Sequence, residues 1–433
     1  MANIDELPPT LLDVLANTVV LGQLSPYINI RDLLSLSATC SAARNTIYCN
    51  REAWRHLDLT GIKSAMIDSS PIDIGGMAWR AERMDEALTS DDFFSGPLYD
   101  RDPFLNSIAY ADLNVRLSYR RGIFGRLHRK SVLQHVHTLV LDGLSVPADV
   151  IHEIVCEDRY NVRILSLRQC RHLNETKLQQ VLRYITRPTR PDGTPKLRAL
   201  YFFGSKDDLG AVTGRQQHHQ ILPANAGITD IQGAQLGASS QLPVVAHDAK
   251  VVDDEARWYG SSGRIMKPPL SGWAETMQSC KGLIAFDAIL CRGPRHDITK
   301  VDSETFLQPT VANIALGRGC ETCGTIPEGP AVFGTSPAHA LPLLSPVPTH
   351  SSTLRAAQMP STASNGLHQL YARCEDCLRG RYCERCLRFW CEDCLPSVGG
   401  ANGSPVKVYS RLCVEHCLVS EMMSGAGSQG MWG

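Results

Sequence analysis

Neither sign of charge dominates this 433-residue chain: 43 Lys and Arg stand against 44 Asp and Glu, a formal net charge of -1. That balance gives no global field for nucleic acid or for an anionic membrane surface. Long apolar runs are missing too, and no stretch approaches the roughly 18 residues a membrane span needs. The opening MANIDELPPTLLDVL carries acids where a secretory leader carries bases. Compact fingerprints of catalysis are lacking as well: there is no Walker loop, dinucleotide-binding glycine run, Gly-x-Ser-x-Gly elbow or His-Glu-x-x-His. The expectation is a non-enzymatic protein of the cytoplasm and/or nucleus, with neither nucleic acid nor membrane among its partners.

Cysteine is abundant, and in a reducing compartment sixteen thiols are not a disulfide framework. Ten of them fall in five clusters: Cys320 and Cys323, Cys374 and Cys377, Cys383 and Cys386, Cys391 and Cys394, and Cys413 with Cys417. The first four clusters are Cys-x-x-Cys, a spacing that aims two sulfurs of one tight turn at a common centre. Two such turns complete a tetrahedral thiolate cage for zinc. A redox Cys-x-x-Cys belongs at the strand-to-helix junction of a βαβ unit, which this region lacks. With His416 in CVEHC as an eleventh donor, the expected content is about two structural zinc ions. The pairing stays open. A cross-brace would join Cys320 and Cys323 to Cys383 and Cys386, and Cys374 and Cys377 to Cys391 and Cys394; sequential pairing satisfies the same chemistry. Arginines and acids balance across this region, so it has no phosphate-tracking stripe, and Tyr382, Phe389 and Trp390 are expected to cover a small core.

At the other end, residues 5–60 contain Leu7 and Pro8, then Leu11, Leu12, Val14 and Leu15 at helical spacing. Asp32, Leu33, Leu34 and Leu36 open a second apolar helix, Cys40 ends it, and Trp54 closes the segment. This resembles an F-box. The resemblance implies a short helical bundle with more leucine on its surface than it can bury alone, covered by a Skp-type adaptor of a cullin-scaffolded ubiquitin ligase. Leu7, Pro8, Leu11, Leu12, Leu15, Leu33, Leu34, Leu36 and Trp54 are the expected adaptor-binding positions.

Beyond it, one apolar frame recurs: Trp54, Leu57, Leu59, Ile62; Val136, Leu139, Leu141, Leu144; Val162, Leu165, Leu167, Cys170; Leu197, Leu200, Phe202; and, more weakly, Leu283, Phe286, Ala288, Cys291. This is the leucine-rich-repeat frame, in which short strands point leucines inward and a returning segment runs along the convex side. Asn174 is expected to cap one such helix, with Leu178 and Leu182 on its buried face. Val140, Arg163, Ser166, Arg168, Arg198 and Tyr201 fall at outward positions, where a concave partner surface is expected. Cys170 reads as a small buried apolar residue.

The expected architecture is therefore α+β: an F-box over 1–60, a helical linker over 61–130, and a leucine-rich-repeat-like region over 131–310 with a mobile insertion at about 204–263. A Cys-rich zinc module follows over 311–420, with a Pro- and Ser-rich disordered insertion at about 324–367, then a disordered tail over 421–433. Within the linker, residues 116–130 hold six bases and no acid, a candidate docking stretch for an acidic partner. In function this reads as a substrate receptor that recruits an unidentified protein target for ubiquitination by proximity. The alternatives are a RING-like ligase acting through its own Cys-rich module and a zinc-containing scaffold with no ubiquitin role.

Overall fold

Four short helices open the described chain, each started by a polar side chain that satisfies free backbone N–H groups. In the computed structural model the described residues are 10–60, 131–146, 148–171, 173–206, 258–259, 263–327, 331–360, 370–396 and 405–426. Leu7, Pro8, the basic stretch 116–130 and most of 204–263 lie outside them. Helix α1 (Leu11–Ala16) begins with a capping box between Thr10 and Asp13, and Asn17 caps α2 (Thr18–Leu24). Asn29 caps α3 (Ile30–Thr39), and the Cys40 sulfur caps α4 (Ser41–Cys49). Leu15, Leu21, Leu33, Ile47 and Trp54 turn inward and join one continuous core with the sheet that follows. The Trp54 indole N–H donates to the Ile47 carbonyl at 3.0 Å, so its buried polar atom is satisfied.

That sheet has five parallel strands in chain order: β1 (His56–Asp58), β2 (Thr138–Val140), β3 (Ile164–Ser166), β4 (Ala199–Tyr201) and β6 (Ala285–Phe286), while β5 (Arg264–Ile265) belongs to a second sheet. Its register aligns Leu57, Leu139, Leu165, Leu200 and Phe286 in a single row. The row packs into the main core against α5 (Ala148–Cys156), α6 (Glu175–Ile185) and α7 (Trp273–Ser279). Asn174 caps α6 by accepting from Lys177 N–H, and Leu178 and Leu182 are buried. The recurring apolar frame thus corresponds to stacked strands, with one helix returning between most pairs.

The opposite face of the sheet is also covered, which corrects two expectations. Residues 331–360, expected as a disordered insertion, fold back over it and carry helix α8 (Leu354–Gln358), capped by Thr353. Leu343, Val347 and Ala357 pack against Val140, Ile164, Ala199 and Tyr201. Val140, Ser166, Arg168 and Tyr201 are therefore buried and do not form an open concave surface, whereas Arg163 and Arg198 remain exposed. The physical reason is written in the outward positions themselves. Thr138, Val140, Ile164, Ala199 and Tyr201 are largely apolar, as on parallel sheets covered on both sides.

The cover is latched by polar contacts. The Leu343 N–H donates to the Phe286 carbonyl at 2.8 Å, and the Tyr201 hydroxyl donates to the Leu344 carbonyl at 3.1 Å. Arg168, at 0% exposure, donates to Asp142 Oδ2 at 2.7 Å and to Ser345 Oγ at 2.8 Å. Asp142 also accepts from the Arg168 N–H and the Ser166 hydroxyl; burial still holds its pKa above the usual carboxylate range, with Arg168 and these hydrogen bonds opposing the shift.

A second, antiparallel sheet joins this body to the Cys-rich region: β5 (Arg264–Ile265), β7 (Ile314–Leu316) and β8 (Tyr371–Arg373). Alternation splits its residues between two cores. Ala315 and Ala372 face the main core, while Ile314, Leu316 and Tyr371 face a smaller one with Phe389, Trp390 and several cysteines. The short helix α9 (Glu375–Leu378), the hairpin of β9 (Val408–Tyr409) and β10 (Leu412–Cys413), and a π-helical turn at Val414–Leu418 complete that module. Helix α10 (Val419–Ala426) then extends into the stretch expected as a disordered tail. No helix among the described residues is long and apolar enough to cross a membrane.

Replacing Asp142 with Ala leaves Arg168 as a buried, uncompensated charge. The expected loss is about 3–5 kcal/mol of stability, read as a lower urea midpoint in Trp fluorescence.

Candidate metal centres

Twelve side chains gather into three groups of four, and within each group all ligand atoms lie within 4.8 Å of one another. Centre 1 comprises Cys291, His296, Cys374 and Cys377; centre 2 comprises Cys320, Cys323, Cys391 and Cys394; centre 3 comprises Cys383, Cys386, Cys413 and Cys417. Each can hold a metal ion. A tetrahedral thiolate site with bonds of about 2.3 Å has ligand–ligand edges of about 3.8 Å. The sulfurs of Cys323 and Cys391 stand 3.9 Å apart, and those of Cys386 and Cys413 stand 3.6 Å apart. Such separations are far beyond a disulfide bond of about 2.05 Å and match cage edges.

Local backbone geometry prepares these sulfurs to be thiolates. One main-chain N–H donates to a sulfur in every centre: Cys374 to Cys291 at 3.2 Å, Cys391 to Cys320 at 3.2 Å, and Cys417 to Cys413 at 3.4 Å. Hydrogen bonds of this kind favour the charged form. Gly293 serves centre 1 through its lack of a side chain, since a Cβ there would lie 2.6 Å from the Cys377 sulfur.

His296 has the orientation of a ligand. Its Nδ1 faces the carbonyl oxygens of Leu307 at 3.1 Å and Gln308 at 2.8 Å, so Nδ1 carries the proton. Nε2 is left to face the Cys374 sulfur, 3.3 Å away. This is the outer-shell arrangement that fixes the tautomer of a metal-binding imidazole. Burial works against a charge on His296, but hydrogen bonds and charge from Cys291 and Cys374 raise its pKa to about 10. Negative charge has been concentrated there, which suits a cation. In centre 2, hydrogen bonds from Thr325 lower Cys323 to about 6 while Cys391 raises Cys394 to about 12. Neighbouring thiols cannot all ionise together unless a cation separates them.

The centres are cross-linked through their loops. Arg373, directly before Cys374, donates to Glu392 at 3.1 Å, and Glu392 sits inside the Cys391–Cys394 turn of centre 2. The Tyr371 hydroxyl reaches the same carboxylate at 2.7 Å. Burial opposes the charge on Glu392, yet Arg373 and Tyr371 hold its pKa below the usual range. Arg411, beside centre 3, pairs with Glu384 at 2.9 Å and also with Glu375 of α9.

The structure groups ten of the eleven donors anticipated from sequence, but in neither of the pairings considered above. Cys374 and Cys377 leave the series to join Cys291 and His296. His416 is exposed and belongs to no group. Cys291 is the last inward residue of a repeat frame, and His296 falls in none of the sequence motifs. Their spacing, Cys-x-x-x-x-His around Gly293-Pro294, is not the motif that marks the other turns. The signal that remained was arithmetic: eleven donors are one short of three complete cages.

At the N-terminus, Leu15, Leu33 and Trp54 are buried within the chain's own core. Leu12, Leu34 and Leu36 are half-buried, and Leu11 is 65% exposed. Compared with family models, curated proteins and solved structures, the chain matches none.

Cys291→Ser is expected to remove one equivalent of bound metal relative to the unaltered chain, measured by colorimetric metal release. Cys156→Ser, in α5 and outside all three centres, is expected to remove none.

Proposed function

We propose that this chain is the substrate-recognition subunit of a Skp-cullin-F-box ubiquitin ligase, with three structural zinc ions in its C-terminal module. The observation that carries the reading is an uncovered apolar surface on the first helices. Leu11 is 65%, Val19 70% and Tyr27 72% exposed, and Val14 and Leu24 are exposed as well, on elements whose opposite sides already contribute Leu15 and Leu21 to the core. Full burial of such a side chain is worth about 1.5–3 kcal/mol, so several of them left in water argue for a partner polypeptide. A Skp-type adaptor is the partner that the F-box resemblance implies. The stacked parallel strands support the leucine-rich-repeat reading of the middle region.

Zinc suits the donors. Soft thiolates with at most one imidazole, in closed groups of four, favour this ion and leave no coordination position for water or substrate. Bound there, it would act as a staple. Cys291 and His296 would fasten the last strand of the parallel sheet to α9, and centres 2 and 3 would hold the remaining loops. On this reading the chain contributes proximity: it holds a target protein beside a conjugating enzyme carried elsewhere in the cullin assembly and raises the effective concentration of the target's lysines.

A second reading draws on one specific observation. Centres 2 and 3 interleave along the chain, with Cys383 and Cys386 preceding Cys391 and Cys394. That is a cross-brace, the topology of RING-like modules that recruit a conjugating enzyme directly. Both centres lack a histidine, and the first pair is separated from the second by the segment that covers the sheet. The receptor reading is retained.

Pull-down with purified adaptor separates the two. Leu11→Asp with Val19→Asp is the chosen variant, because both side chains are exposed, whereas Leu33 is part of the core and its replacement would unfold the bundle. The receptor reading expects adaptor captured by the unaltered chain and lost in the variant; no capture by either removes it. Ubiquitin chains formed by the purified full chain with a conjugating enzyme alone would promote the RING-like reading. Elemental analysis is expected to find about three zinc per chain, and a folded chain free of metal would overturn the assignment.

A further inference from the structure

Just ahead of the first four strands of the parallel sheet stand Arg55, His137, Arg163 and Arg198. Their backbones form one ladder: His137 N–H donates to the Arg55 carbonyl at 2.9 Å, Arg163 N–H to His137 at 2.8 Å, and Arg198 N–H to Arg163 at 2.7 Å. They are equivalent positions of successive strands, stepping about 4.8 Å each. The result is a basic column along the rim where the strands enter the sheet, in a chain whose overall charge is close to zero.

Arg55, His137 and Arg163 of this column line a cleft of about 890 Å³, which Arg198 does not reach. One wall is α2 with the turn that carries Arg51; the other is the hydroxyl-rich run Thr349–Thr353. Among the described residues, Glu52 is the one carboxylate lining the cleft, and it pairs with Arg55 at 2.9 Å. Arg51 and Arg163 have no carboxylate partner among the described residues, and both are exposed. Burial, together with Arg163 and Arg55, lowers the pKa of His137 to about 4, so at neutral pH it is an uncharged hydrogen-bonding group between guanidinium ions. Two uncompensated arginines facing one concavity repel each other and favour any anion that enters.

We propose that this cleft binds an extended peptide segment bearing anionic side chains, with Arg51 and Arg163 taking the carboxylate or phosphate oxygens and the Thr349 and Ser352 hydroxyls completing their hydrogen bonds. A nucleic acid fits less well, because the described residues that line the cleft include no Phe, Tyr or Trp ring for base stacking and the basic track is short. The cleft shares α2 with the proposed adaptor surface, since Val19 lines it, but its test reads Arg51 and Arg163, which that surface does not include.

The experiment uses the full chain and three labelled peptides of equal length, carrying glutamates, phosphothreonines or glutamines, with binding followed by fluorescence anisotropy at low and physiological salt. Binding of at least one anionic peptide is expected, weaker at higher salt, with none for the glutamine peptide. Arg51→Glu with Arg163→Glu is expected to weaken binding about tenfold or more, while Lys281→Glu, away from the cleft, leaves it unchanged. Preference for the phosphothreonine or the glutamate peptide identifies the source of the anion. Because both arginines are exposed, thermal melting should show the double variant folded; if it is not, Arg163→Gln alone must weaken binding. No binding of either anionic peptide overturns the proposal, as does binding indifferent to salt and to charge reversal in a folded variant.

Discussion

Four sulfur or nitrogen donors held within 4.8 Å of one another are a constraint before they are a site. Thiolates at that range repel, and protonated thiols give up the negative charge that N–H donors such as those of Cys374 and Cys391 are arranged to favour. A cation at the centre removes the conflict. Much of the C-terminal half hangs on this resolution: α9 is barely one turn long, β9 and β10 are two residues each, and neither could persist alone in water. The small core around Tyr371, Phe389 and Trp390 is apolar filling between the loops that carry the donor groups.

Centre 1 differs from the other two in what it joins. Cys291 belongs to the end of the parallel sheet and to the main core, whereas Cys374 and Cys377 open the Cys-rich module. The antiparallel sheet makes the same connection through backbone hydrogen bonds. Two kinds of interaction therefore cross one boundary, which gives the sheet and the module a common frame.

Sequence made the strand frame legible because inward residues repeat in kind as well as spacing: Leu57, Leu139, Leu165 and Leu200 fall in one row, and the weaker copy with Phe286 extends it. It made the Cys-x-x-Cys turns legible for a similar reason, since two sulfurs of one turn carry their geometry locally. What escaped was long-range. Cys291 lies 83 residues from Cys374, and no local spacing announces that partnership. The cover over residues 331–360 escaped because Pro- and Ser-rich composition reads as solvated chain, while Leu343, Val347 and Ala357 are too sparse to show a period. The apolar character of Val140, Ile164 and Ala199 on the supposedly open face was the available hint. In the N-terminal helices, period alone could not separate Leu11, which faces water, from Leu15 and Leu33, which do not.

The donor sets close at different distances from the start of the chain: centre 1 at Cys377, centre 2 at Cys394 and centre 3 at Cys417. Translation delivers them in that order, so a nascent polypeptide can fill the first cage while the second and third still await half their ligands. A message truncated between the codons for Cys386 and Cys391 would yield a protein with its sheet clasped but four orphaned thiols, Cys320, Cys323, Cys383 and Cys386, open to oxidation.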